Sequence, residues 1–170
     1  VVRNTLRPSE KMIKIGSPFA ILYYYETLEK IDHEDEIINS IYQSYLPMLE
    51  AGATTVWEVF PSSSFRPGDF PTRSHCHAWS SAPAYFLNRI ILGIKQTVPG
   101  GEKFEVSPRL SGLKWAKGSV ATIKGPLYVD WRIDEGKIRI NISTPKGVDV
   151  KFVENETHQG YSVDVVKKVF

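Results

Sequence analysis

The period of the apolar residues changes once along this chain, between Gly93 and Pro99, and that change constrains the fold most. Before it, apolar residues recur at helical spacing in "GSPFAILYYYETLEKID" and "HEDEIINSIYQSYLPMLEAG". After it, they alternate with polar residues in "LYVDWRI" and "KIRINIS". The first spacing buries one side of a helix, and the second buries one face of a strand. The sequence therefore predicts helices followed by a β-domain.

The segment before Gly93 predicts three helices. Ser17 is a good N-cap for the first helix, and the acidic residues 34–36 suit the positive end of the second. Pro47 should kink or interrupt the second helix, because proline lacks the N–H that a helix interior needs. The third helix begins near Ser81 or Ala82, with Pro83 in its first turn, and runs to Gly93. These helices are too few to cover their own apolar surface, so we expect them to end a larger helical array.

The segment after Pro99 predicts a small antiparallel β-sandwich. Its clearest hairpin joins "LYVDWRI" to "KIRINIS" through the turn Asp134-Glu135-Gly136, and "KFEV", "SVATI", "VDVKFV" and "YSVDVVKKV" are further strands. "TVPGGEK" is the expected linker. The fold class is thus α+β with two domains, a helical one over residues 1–97 and a β-sandwich over residues 98–170.

Composition excludes several classes of protein. Of the 170 residues, 42% are hydrophobic and 24% charged, as in an ordinary globular protein. A net charge of +2 gives no reason to expect a nucleic-acid or membrane partner, and no apolar run approaches the ~20 residues of a membrane span. The single cysteine, Cys76, excludes an internal disulfide. No targeting segment is visible, which favours a cytoplasmic location unless a leader was removed or the chain is part of a longer one.

Polar and aromatic residues concentrate between the second and third predicted helices. Glu58 lies beside Trp57 in the apolar stretch "TTVWEV". A carboxylate there is either a capping or ion-paired group or a general base in a cleft. His77 either caps the following helix or binds a substrate. Trp57 and Trp79 are either core residues or, beside a carboxylate and a histidine, the flat walls of a sugar site.

Two other readings of this region have little support from the sequence. The consecutive residues of "SHCH" lack the spacing of metal ligands and no second cluster exists, so no metal site is predicted. No catalytic signature surrounds Cys76, which makes a nucleophile improbable. The proline-rich stretch "FPSSSFRPGDFPTR" is either a functional lid or a surface connection.

The motif "GATTVWE" followed by "SHCHAWSSAPAYFL" resembles the C-terminal part of the bacterial α-L-rhamnosidase family of glycoside hydrolases, and "GSPFAILYYYETLEKI" resembles that family's helix entering this region. The resemblance implies the last helices of an (α/α)6 toroid, then a β-sandwich, and hydrolysis of terminal α-L-rhamnose with inversion and without a cofactor. It implies that Glu58 is the general base, that His77 binds a sugar hydroxyl, and that Trp57 and Trp79 shape the pocket. Ala78 and Ser81 depart mildly from the family's pattern.

The residues that carry the resemblance do not include the general acid that an inverting glycosidase needs. The family's general acid lies N-terminal to this chain, and neither Glu50 nor Asp69 matches its motif. We therefore expect the chain to supply the base for a rhamnose-containing glycoside substrate and to be inactive alone. Its exposed helical faces predict association with a second copy or with parent segments. The rival interpretation is a carbohydrate-binding or interaction β-sandwich with a helical appendage.

Overall fold

A computed structural model of the chain describes residues 15, 17–61 and 72–170. The chain forms two compact units, Val1–Tyr85 and Phe86–Phe170. The proline-rich stretch proposed as a lid lies largely outside the described residues, as does Asp69. The predicted division of domains at residues 97 and 98 stays a prediction.

The helices of the described chain are α1 (Pro18–Glu29), α2 (Glu34–Glu50) and α3 (Ala82–Ile90), with short 3₁₀ helices at Ala78–Ser80, before α3, and at Glu156–His158. The Ser17 hydroxyl caps α1 by accepting a hydrogen bond from the N–H of Phe19 at 3.4 Å. The Tyr25 hydroxyl of α1 donates to the Ser40 hydroxyl of α2 at 3.0 Å. None of the helices in these ranges is long and apolar enough to cross a membrane.

Pro47 does not interrupt α2, so the interruption that the sequence offered as one of two outcomes is wrong. The helix continues through it to Glu50, and the N–H of Ala51 still reaches the Pro47 carbonyl oxygen at 3.1 Å. Tyr45 and Met48 on either side of the proline are both buried and belong to one apolar cluster. Tertiary packing of this last turn therefore outweighs the hydrogen bond that proline removes.

The second unit holds seven strands among the residues described. One sheet has the order β1-β2-β6, and the other has the order β3-β4-β5-β7. In the larger sheet, alternate residues of β4 and β5 are buried and form one inner face, as the period of two predicts. The strands are β1 (Ile94–Gln96), β2 (Lys103–Val106), β3 (Trp115–Thr122), β4 (Gly125–Asp134), β5 (Lys137–Thr144), β6 (Asp149–Phe152) and β7 (Ser162–Val169).

The predicted order of helices followed by a small β-domain is confirmed, but the sheets are mixed rather than purely antiparallel. β6 runs parallel to β2, and β7 runs parallel to β5. The chain leaves the larger sheet after β5, adds β6 to the smaller sheet and then returns as β7. Alternation in a sequence reports which face of a strand is buried and carries no information about the direction of its neighbour.

The predicted β4–β5 hairpin is present. The segment predicted as a linker between the domains instead connects two strands of the smaller sheet. Glu135 and Gly136 both have positive φ, 46° and 78°, as a type I′ turn requires. "TVPGGEK" connects β1 to β2: it runs from Thr97, just after β1, to Lys103, the first residue of β2, and the N–H of Thr97 donates to the Lys103 carbonyl oxygen at 3.0 Å. Strand β1 was not predicted, because three residues are too short to show a period.

Candidate active site

Glu58 and His77 lie on two irregular segments that backbone hydrogen bonds hold together. The N–H of Glu58 donates to the Ser74 carbonyl oxygen at 3.0 Å, and the N–H of His77 donates to the Val56 carbonyl oxygen at 3.0 Å. The Thr55 hydroxyl adds a third link by donating to the His75 carbonyl oxygen. The motifs that contain Glu58 and His77 are therefore paired in space as well as ordered in sequence.

Further hydrogen bonds hold the backbone at Glu58. The Ser17 hydroxyl, at the start of α1, donates to the Glu58 carbonyl oxygen at 3.1 Å. The N–H of Val59 donates to the hydroxyl of Thr72 at 3.1 Å, and Thr72 is buried. The backbone at Glu58 is therefore anchored both from the start of α1 and from Thr72.

The Glu58 side chain is half-buried. Over residues 17–61 and 72–170, its carboxylate has neither a hydrogen bond nor an ion pair with another side chain. A structural glutamate that is half-buried normally has such a partner. The described residues therefore give no support to the ion-paired interpretation of Glu58.

An exposed aromatic surface lies next to His77. Trp79 on the 3₁₀ helix has 66% of its surface exposed, and its ring centroid is 4.8 Å from that of Phe19 on α1. The Phe19 ring in turn contacts Tyr23 edge to face at 6.1 Å, and the His77 ring meets Trp79 at 5.8 Å. Exposed aromatic faces beside polar groups suit the C–H surfaces and hydroxyls of a sugar. We call Phe19, Tyr23 and Trp79 the aromatic platform.

Trp57 occupies a different environment from Trp79. It is 5% exposed and packs with Tyr45 and Met48 in the core of the first unit. The ring of His75 lies 4.9 Å from its ring, edge to face. Trp57 is thus a core residue whose backbone neighbour is Glu58, and direct contact of its ring with substrate stays a prediction.

The core beneath the 3₁₀ helix helps to place Trp79. The buried Tyr45 hydroxyl donates to the carbonyl oxygen of Ser80 at 3.1 Å. Burial, and secondarily the neighbouring Tyr25, raise the pKa of the Tyr45 hydroxyl above that of an ordinary phenol. Tyr45 therefore stays a neutral donor, and it joins α2 to the turn that carries Trp79.

The histidines of "SHCH" point to different partners. His75 contacts Trp57, whereas His77 contacts Trp79. Cys76 between them is exposed. In the described ranges, no three histidine, cysteine or acidic side chains come close enough together to hold a metal ion.

The sequence did not single out Phe19, Tyr23 or Ser17 as parts of the site. Phe19 and Tyr23 stand in a helix that is apolar on nearly all sides, so their exposure could not be read from its period. Ser17 was recognised only as a helix cap, yet the same hydroxyl also reaches Glu58. The one available signal was that a short helix so rich in aromatic residues cannot bury them all.

Two family models match this chain. The bacterial alpha-L-rhamnosidase 6 hairpin glycosidase domain matches residues 15–91, and the bacterial alpha-L-rhamnosidase C-terminal domain matches residues 93–168. An alpha-L-rhamnosidase of Alteromonas sp. (strain LOR) is 30% identical over 122 residues, which are 69% of this chain and 13% of that protein.

Two solved structures are similar to this chain. The GH78 family rhamnosidase of Bacillus sp. GL1 has a TM-score of 0.86 and 35% identity, over 99% of this chain and 18% of that one. An alpha-L-rhamnosidase from Dictyoglumus thermophilum has a TM-score of 0.65 and 26% identity, over 79% of this chain and 15% of that one. The chain thus spans less than a fifth of the length of these relatives.

Helices that end a six-hairpin domain, followed directly by a small mixed β-domain, define a class of multidomain glycoside hydrolases. Within that class, the chain belongs to the bacterial GH78 α-L-rhamnosidases. It corresponds to their C-terminal portion, which comprises the end of the six-hairpin domain and the C-terminal domain.

Proposed function

We propose that this chain supplies the general base for hydrolysis of a terminal α-L-rhamnoside with inversion, as part of a longer α-L-rhamnosidase. Glu58 is the base that takes a proton from the attacking water. His77 binds a sugar hydroxyl, and Trp79 packs against the sugar ring.

The observation that carries this proposal is the pairing of the two motif segments. Hydrogen bonds of 3.0 Å join Glu58 to Ser74 and His77 to Val56, and the aromatic platform continues from His77. This arrangement places a carboxylate without a described partner, an imidazole and an exposed tryptophan in one unit. These are the types of group that a site needs to activate water and to hold a sugar.

The proposal also requires a general acid that the described residues of this chain do not supply. An inverting glycosidase needs an acid that protonates the leaving oxygen and a base roughly 6.5–9.5 Å from it, with the water beside the base. Glu50 is exposed at the end of α2, and no family motif makes it an acid. The purified chain should therefore show no turnover of an aryl α-L-rhamnoside, and measurable turnover would contradict this division of roles.

The decisive test replaces Glu58 by glutamine in the longer enzyme. Glu58→Gln keeps the size of the side chain and removes its basicity, so kcat should fall by roughly 10²–10⁴-fold. The acidic limb of the pH profile of kcat/KM should disappear with it, because that limb reports the protonation of the base. Glu50→Gln, the same change at an exposed glutamate, is the matched control and should leave both quantities unchanged.

The stereochemistry of the product separates inversion from retention. NMR of the first-formed rhamnose should show the anomeric configuration opposite to that of the substrate. Retained configuration, or full activity of Glu58→Gln, would remove the assignment of Glu58 as the general base.

A further inference from the structure

The outer face of the larger sheet, in the second unit, contains a groove of about 350 Å³ that the proposed hydrolysis does not use. Its walls come from all four strands of that sheet. Because Leu127, Val129 and Trp131 of β4 are buried, the residues between them point to the opposite, solvent side. Six polar or aromatic side chains face the groove: Lys117, Tyr128, Asp130, Asn141, Ser143 and Lys168.

The strand register sets these side chains in two neighbouring rows. Lys117, Asp130 and Asn141 are cross-strand partners in the first row. Tyr128, Ser143 and Lys168 form the second row. Since partners on one face lie about 5 Å apart, the groups of a row can contact one ligand together. The lysines stand on the two edge strands, which are about 14 Å apart across three strand spacings.

The polar side chains of the groove have no hydrogen-bond or ion-pair partner in the part of the chain that the structure describes. Among the residues that the structure describes, none of the three charged side chains forms an ion pair, and neither Asn141 nor Ser143 uses its side chain in a hydrogen bond. Charges elsewhere on the same face behave differently: Lys137 pairs with Asp164 at 3.2 Å, and Arg139 pairs with Asp134 at 3.6 Å.

The chemistry of the groove fits a saccharide. The Tyr128 ring lies 6.1 Å from the Phe170 ring, centroid to centroid, and Tyr128 is still 44% exposed, so part of its flat ring can pack against sugar C–H groups. Asn141 and Ser143 can each donate to and accept from hydroxyls, and the Asp130 carboxylate accepts from them. A volume of about 350 Å³ lies at the small end of the roughly 300–1,000 Å³ that ligand sites span, which suits a short oligosaccharide.

The charges of the groove select an acidic saccharide. Lys117 and Lys168 outnumber Asp130, so the groove carries an excess of one positive charge in a chain whose net charge is only +2. A sugar carboxylate at either end of a short chain would meet one of the two lysines, while Asp130 binds hydroxyls between them. We propose that this groove binds a short uronate-bearing oligosaccharide, separately from the aromatic platform.

The test uses the whole chain, a trisaccharide of galacturonate units, and its neutral galactose counterpart. Titration followed by amide NMR should show saturable shifts that map to β4, β5 and β7 for the acidic trisaccharide. The neutral counterpart should bind several-fold more weakly, and affinity for the acidic one should fall as salt rises, because exposed charge pairs are screened.

Variants with matched controls locate the binding. Lys117→Gln and Lys168→Gln should each weaken binding of the acidic trisaccharide roughly threefold to tenfold and leave the neutral one unaffected. Lys151→Gln makes the same change at an exposed lysine on β6 of the other sheet and should have no effect. Tyr128→Ala should weaken both saccharides, whereas Tyr161→Ala, at another exposed tyrosine, should weaken neither.

The outcomes separate this proposal from the hydrolase proposal. Glu58→Gln should leave trisaccharide binding unchanged, since the groove lies in the other unit. Equal affinity for the neutral trisaccharide, shifts confined to the first unit, or the absence of saturable binding would each overturn the groove assignment. None of these results would bear on Glu58 as a general base.

Discussion

The Asn155 side chain forms hydrogen bonds that connect two segments of the second unit. Its amide nitrogen donates to the Ser107 hydroxyl at 3.0 Å and to the Pro108 carbonyl oxygen at 2.9 Å, and its amide oxygen accepts from the N–H of Thr157 at 3.0 Å. Buried His158 adds a contact of 2.7 Å between its Nε2 and the Pro108 oxygen. These bonds join the segment after β2 to the segment after β6.

The same side chain lies in an Asn-Glu-Thr acceptor pattern for glycosylation. A sugar would have to be attached to the nitrogen that donates to Ser107 and Pro108. The folded structure therefore uses Asn155 as a structural residue, and a match to the acceptor pattern is no evidence of modification here.

We predict that Asn155→Ala destabilises the second unit by about 2 kcal/mol, because it removes several hydrogen bonds and leaves partly buried partners unpaired. Native-state amide hydrogen exchange in β2 and β6 should accelerate accordingly. Gln159→Ala, at the exposed residue that follows the 3₁₀ helix Glu156–His158, should change the exchange rates little. Equal protection in Asn155→Ala and the unmodified chain would contradict this role.

At the scale of elements, the close approach between the start of β1 and the end of β2 requires a glycine. Gly93 has a φ of +68°, and its carbonyl oxygen accepts from the N–H of Ser107 at 2.9 Å. A Cβ atom at this position would lie 2.1 Å from the Ser107 carbonyl carbon and 2.3 Å from the Pro108 nitrogen. These are backbone atoms, so no rotamer change can relieve the overlap.

We expect Gly93→Ala to destabilise the second unit by more than about 3 kcal/mol, since it combines left-handed strain with overlap onto backbone. Gly136→Ala in the β4–β5 turn is the matched control. Its φ is +78°, but nothing lies within 4 Å of the added Cβ, so only about 1–2 kcal/mol of strain should appear. Urea unfolding of both variants measures the difference, and equal losses would show that the overlap relaxes.

At the scale of the whole molecule, the helices leave large apolar side chains exposed. Phe19 and Tyr23 of α1 are one helical turn apart and 41% and 60% exposed, and Tyr42 and Leu49 of α2 are two turns apart and 67% and 66% exposed. Such side chains are normally covered, either by further helices or by a second copy of the chain.

We predict that the isolated chain self-associates through the exposed face of α2. Sedimentation velocity should show a weight-average mass that rises with concentration, and Tyr42→Lys/Leu49→Lys should lower it towards 19.2 kDa. Ser119→Lys/Gln159→Lys adds the same charge at exposed polar positions of the second unit, away from α2, and should preserve association. A strictly monomeric unmodified chain with stable helices would rule this surface out.

The sequence by itself determined what depends on neighbours along the chain. The change of period located the helices and every described strand except β1, Ser17 marked the start of α1, and the turn at Glu135 and Gly136 defined a hairpin. The motif around Glu58 and His77 indicated the family. Each of these signals spans at most a few tens of residues, within which burial, capping and turn conformation leave a pattern.

Only the tertiary structure decided what depends on partners far apart in sequence. It placed Trp57 in the core and Trp79 on the surface, brought Phe19 against Trp79 and Ser17 against Glu58, and made two strand pairs parallel. An apolar residue carries the same local signal whether it faces the core or a ligand. Whether such a residue is buried in the core or faces a ligand depends on packing between segments that are distant in sequence, and the local period does not record that packing.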